Sequence, residues 1–63
     1  MDGKTIIRKL ESVGWRHEST KGSHFKMKKS GFPPIIVPVH SGKDIKIGTL
    51  KNIEKVTGLK LRL

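Results

Sequence analysis

The chain has 63 residues, and its 14 Lys and Arg against 5 Asp and Glu give a formal net charge of +9 and a pI near 10.4. A chain this short buries only about 60% of the surface its unfolded form exposes, and without cysteine it has neither disulfide staples nor thiolate metal sites, so a compact core or a covering partner must supply stability. The charge favours a polyanionic partner, nucleic acid first, and no stretch approaches the roughly 20 apolar residues of a membrane span.

Residues 4–13, KTIIRKLESV, place Ile6, Ile7, Leu10 and Val13 at helical spacing, with Lys4, Arg8, Lys9 and Glu11 largely on the other side. That pattern predicts an amphipathic helix. Asp2 is its expected N-cap and Gly14 its left-handed stop. Residues 15–20, WRHEST, read as a first strand, and Trp15, directly after the helix, reads as core. Lys21 and Gly22 form a tight connection. Residues 23–29, SHFKMKK, form a second strand, because Phe25 and Met27 alternate with His24, Lys26 and Lys28. The loop SGFPP at 30–34 leads to a third strand, IIVPV at 35–39. Pro38 cannot donate to a ladder, which puts that strand at an edge or ends it there. After the loop HSGKD at 40–44, residues 47–57 form a second helix with Ile47, Leu50, Ile53 and Val56 on one side and Gly58 as its stop. The strict alternation LKLRL at 59–63 suits a short extra strand or a tail that docks on a partner.

The expected architecture is α+β, with the order helix, three strands, helix over residues 1–63 as one domain. Two helices then cover one face of a three-stranded antiparallel sheet. The alternation turns Phe25 and Met27 toward the helices, and His24, Lys26 and Lys28 toward solvent on the opposite face. The N-terminus does not read as a signal peptide, which makes the cytoplasm the expected compartment.

Four segments in this order carry a resemblance: Gly14–Trp15 after an amphipathic helix, KGSH at 21–24 opening a strand, IVPVH at 36–40, and IGTLKNIEKVTGL at 47–59. Together, from about Ile6 to Leu59, the chain resembles the HicA toxins, small ribosome-independent messenger-RNA interferases of type II toxin–antitoxin systems. The resemblance implies a fold like that of double-stranded-RNA-binding domains. It also implies a catalytic histidine in the GSH segment, here His24. Many members of that family have two consecutive histidines there, whereas this chain has Phe25 in the second place, so no pair can work together. His40 matches a further position often held by histidine. The implied partners are messenger RNA as substrate and a HicB-like antitoxin, with operator DNA reached only through the antitoxin; no membrane is involved.

The residues themselves are suited to that chemistry. Histidine exchanges protons near neutral pH and can activate the 2′-hydroxyl beside a scissile phosphate, while lysines hold phosphate oxygens. The expected RNA-binding set is Lys21, Lys26, Lys28, His40, Lys46 and Lys51. The three histidines match no familiar ligand spacing and the acidic residues are scattered, so no metal or other cofactor is expected. His17 carries no motif and reads as a surface residue. The reading of a different class is a non-catalytic RNA-binding module on the same fold, since a fold alone does not fix function.

Overall fold

The computed structural model describes residues 1–62. Its elements run α1 (Gly3–Ser12), β1 (Arg16–Lys21), β2 (His24–Lys28), β3 (Ile35–Pro38) and α2 (Ile47–Thr57). The three strands form one antiparallel sheet in the order β1-β2-β3. This is the α-β-β-β-α arrangement of the double-stranded-RNA-binding-domain fold. No helix among the described residues is long and apolar enough to cross a membrane.

Local chemistry sets both ends of α1. The Asp2 carboxylate accepts a hydrogen bond from the Thr5 amide at 2.9 Å, satisfying a donor that the first turn leaves free. At the other end the Trp15 amide donates to the Leu10 carbonyl at 3.0 Å and the Gly14 amide to the Glu11 carbonyl at 3.2 Å. These are the two bonds of a Schellman stop, and Gly14 sits at φ +98°, where a side chain would be strained. Leu10 and Trp15, the residues that such a stop brings together, are both buried. Lys29 adds its ammonium to the Val13 carbonyl at 2.7 Å, a cation at the negative end of the helix.

The core is built from Ile6 and Leu10 of α1, Trp15, Met27 of β2, Ile35 and Val37 of β3, Leu50 and Ile53 of α2, and Leu61. The helices pack against β3. β1 is exposed along its whole length and adds no residue to the core. Val13 and Ile47, expected on the buried stripes of their helices, are 40% and 56% exposed because each lies at a helix terminus. In the last turn of α2 Thr57 turns inward instead, and its hydroxyl donates to the Ile53 carbonyl at 2.7 Å.

Residues 59–62 form no strand. They fold back on α2, where Glu54 accepts from the Leu61 and Arg62 amides at 2.8 and 3.1 Å and from the Arg62 guanidinium at 2.8 Å. Leu61 thereby enters this chain's own core rather than a partner's. Leu63, the last residue of the alternating segment, lies outside the described residues. The N-terminus is tied down as well: the Met1 ammonium pairs with Asp44 at 3.2 Å, and the Ile45 amide donates to the Met1 carbonyl at 2.9 Å.

Candidate active site on the bare face of the sheet

Residues paired across an antiparallel sheet point to the same face, so the register sorts the side chains. Phe25 pairs with Val37 and Met27 with Ile35, which defines the helix-facing side. His24 pairs with Lys21 on one flank and Pro38 on the other; Lys26 pairs with Ser19 and Ile36; Lys28 pairs with Arg16. His24, Lys21, Lys26, Lys28 and Arg16 therefore share the outer face, which neither helix covers.

A bulge is what lets β1 contribute twice. Register shifts between His17 and Ser19, leaving Glu18 as the extra residue. Arg16 and Lys21 are an odd number of residues apart and would otherwise face opposite sides of the sheet; the extra residue brings both to the outer face. Glu18 is also the counterion of Lys28, at 3.4 Å between carboxylate and ammonium. The other ion pairs among the described residues join Met1 to Asp44 and Arg62 to Glu54. Lys21 and Lys26 thus carry uncompensated charge beside His24, while Lys28 does not.

His24 is exposed at the start of β2, next to the turn at Gly22 and Ser23. Its ring points away from the core, so it makes none of the contacts that hold His17. The His17 ring lies on the helix-facing side, hydrogen-bonded to the Thr20 hydroxyl, with its centroid 5.4 Å from that of Phe25.

The remaining residues of the expected RNA-binding set lie apart from this cluster. The Val39 amide donates to the Ser23 carbonyl at 2.7 Å, which carries the β2–β3 pairing one step past the strand and brings the backbone of His40 to the His24 end of the sheet. The exposed His40 side chain lines one groove with Pro38, Lys43, Lys46 and Thr49, and another with Asp2 and Lys4 at the start of α1. Lys46 is the N-cap of α2 and Lys51 stands on the solvent side of that helix, next to buried Leu50. Sequence reasoning had not placed Arg16 on the outer face, nor Lys43 beside His40. An extra residue in a strand disrupts the period-2 signal, so the alternation of β1 could not have shown Arg16's side. Among the described residues no group of three His, Cys, Asp or Glu side chains is placed to hold a metal ion.

A small basic protein with a double-stranded-RNA-binding-domain fold, presenting a histidine between unpaired lysines on an open sheet, belongs to the class of compact domains suited to engaging polyanions. The chain is a member of the HicA toxin family: the family model described as HicA toxin of bacterial toxin-antitoxin matches residues 3–59. No curated protein matches the chain significantly.

Proposed function

We propose that this member of a toxin family is an mRNA interferase, a ribosome-independent endoribonuclease that uses His24 as general base and needs no metal. The observation that carries the reading is the set on the outer face: an exposed imidazole in register with Lys21 and followed on its own strand by Lys26, neither lysine paired with an acid among the described residues.

His24 takes the proton of the 2′-hydroxyl next to the scissile phosphate. The freed oxygen attacks phosphorus, the bond from phosphorus to the 5′-oxygen breaks, and the leaving oxygen takes a proton from solvent. The products are a 2′,3′-cyclic phosphate and a 5′-hydroxyl end. Lys21 and Lys26 hold the non-bridging oxygens as charge gathers on them, an electrostatic stabilisation that grows toward the transition state. Lys28 extends this basic surface; His40, Lys46 and Lys51 stand apart from it and are reached by RNA whose backbone continues round the β3 edge toward α2. The enzyme works in the cytoplasm on messenger RNA. A HicB-like antitoxin restrains it there and carries any contact with operator DNA.

The test is cleavage of a defined RNA by purified wild-type protein and by His24→Ala, in EDTA. A positioned general base contributes on the order of 10²- to 10⁴-fold, so the variant should lose at least about a hundredfold in rate while its circular dichroism is unchanged. RNA with a 2′-O-methyl at the cut site should resist the wild-type enzyme. A folded His24→Ala that cuts at the wild-type rate removes His24 from the chemistry. Activity lost on chelation and restored by a divalent ion removes the metal-free mechanism. RNA binding without any cleavage leaves the non-catalytic module as the reading.

A further inference from the structure

The outer face of the sheet is not wholly polar. Ile36 and Pro38 of β3 stand in register with Lys26 and His24, and Ile36 is 48% exposed. The fold accounts for the other large exposed apolar side chains. Phe32 lies on Trp15 with ring centroids 5.4 Å apart, Val13 caps α1, and Ile47 opens α2. Ile36 has no such partner among the described residues. It alternates with buried Ile35 and Val37, so strand geometry points it away from the core, onto the face that carries His24.

The face therefore holds three parallel columns, one from each strand, at the spacing of neighbouring strands, about 5 Å. Two are cationic and polar, from Lys21 on β1 and from His24 and Lys26 on β2; the third is apolar, from Ile36 and Pro38 on β3. A nucleotide is divided in the same way, into an anionic phosphate and a base with an apolar face. A phosphate held by Lys21 and Lys26 leaves the adjoining base within reach of the next strand. A duplex does not fit this division, because its base faces are already stacked; an unpaired base offers a free one.

We propose that Ile36, backed by Pro38, is a nucleobase ledge: it receives the face of an unpaired base next to the phosphate held at His24. The inference rests on the part of the proposed function that has the outer face hold RNA. An aliphatic ledge offers no hydrogen bonds, so it selects by area. It favours single-stranded over paired RNA and a purine over a pyrimidine at the nucleotide it contacts.

The experiment uses short single-stranded RNAs carrying a purine, a pyrimidine or an abasic residue on either side of the cut, with wild-type protein and Ile36→Thr. Threonine keeps the β-branch that suits a strand; Ile36→Val serves if the first variant fails to fold by circular dichroism. Wild-type kcat/KM should fall about fivefold on the abasic RNA, which is what roughly 40 Å² of apolar surface removed from water is worth. Ile36→Thr should show that loss on the intact RNA and little further loss on the abasic one. Anisotropy titrations of the same RNAs against His24→Ala, with and without Ile36→Thr, should show the same lack of additivity in binding. That arm separates the two readings. If wild type cuts nothing while the coupling persists in binding, the nuclease reading fails and the ledge stands. If wild type cuts but the two losses add, or neither occurs, the ledge is overturned and the nuclease stands. Neither cleavage nor coupling overturns both. Unchanged RNA parameters with weakened antitoxin binding overturn the ledge and make Ile36 a protein contact.

Discussion

Charge reversal separates the lysines of the outer face, which are not equivalent. Lys28 already has Glu18 as a counterion at 3.4 Å, whereas Lys21 and Lys26 have none among the described residues. An exposed pair of that kind contributes little to stability, but it lowers the local charge an RNA meets. Lys21→Glu with Lys26→Glu should weaken RNA binding and flatten its salt dependence. The slope of log affinity against log salt should fall by about 0.7 for each phosphate of a single strand that the protein no longer neutralises. Lys28→Glu should change the slope less. An equal effect of all three substitutions, in titrations across a salt series, would mean that the ion pair opens when RNA binds. A second single-residue test concerns Gly3, where α1 and the end of β3 approach closely. A Cβ at Gly3 would lie 2.5 Å from the Pro38 carbonyl oxygen and 2.9 Å from a Val39 methyl. The nearest obstacle is backbone, so relief requires moving the end of β3, and overpacking of this kind costs about 1–3 kcal/mol. Gly3→Ala should lower the urea midpoint correspondingly, although alanine is the better helix former. A midpoint that is unchanged or raised would show that the close approach relaxes freely.

Among the elements, the segment after α2 depends most on one carboxylate. Glu54 accepts backbone hydrogen bonds from Arg62 and Leu61, and these hold its carboxyl below the ordinary value of 4.5; Asp2 is held below 3.8 by its bonds from Thr5. A carboxylate whose pKa is lowered by folding stabilises the fold above its unfolded pKa, and that contribution disappears as pH falls through the folded value. The C-terminal segment and the start of α1 should therefore loosen together once the pH drops below about 4. Glu54→Ala should speed exchange of the Leu61 and Arg62 amides at neutral pH and remove the acid dependence of that segment alone. Exchange matching that of the parent would mean that burial of Leu61 suffices without the carboxylate. This latch also marks where the sequence stops being informative. Periodicity shows which face of a segment is apolar, and it located α1, α2 and β2, while residue type marked the Asp2 cap and the Gly14 stop. It could place His24, Lys26 and Lys28 on one face because an unbroken strand has period two. It could not show that the partner of Leu61 is this chain's own core, since an alternating LKLRL suits an intramolecular dock and a foreign one equally. Nor could it show the bulge at Glu18, which depends on pairing between strands rather than on either strand alone.

At the scale of the whole molecule, the fold is lopsided. Both helices lie on one side of the sheet, the other side is bare, and the net charge of +9 is presented with the outer-face lysines uncovered. An inhibitor that only neutralised charge would be displaced by RNA or by salt. One that covers His24 and also buries Ile36 and Pro38 gains apolar contact that salt does not weaken. Complementary charge chiefly raises the association rate, while desolvated apolar anchors set how slowly the complex comes apart. An acidic HicB-like antitoxin should therefore bind with an association rate that falls steeply as salt rises and a dissociation rate that hardly changes. Hydrogen exchange should show protection at residues 21–28 and 35–38, and stopped-flow mixing across a salt series should separate the two rates. Protection confined to α1, with residues 21–28 exchanging as in the free toxin while cleavage is still blocked, would show that the antitoxin acts at a distance. A dissociation rate as salt-sensitive as the association rate would show that lysines alone hold the complex together, and that the apolar column of β3 remains open beneath it.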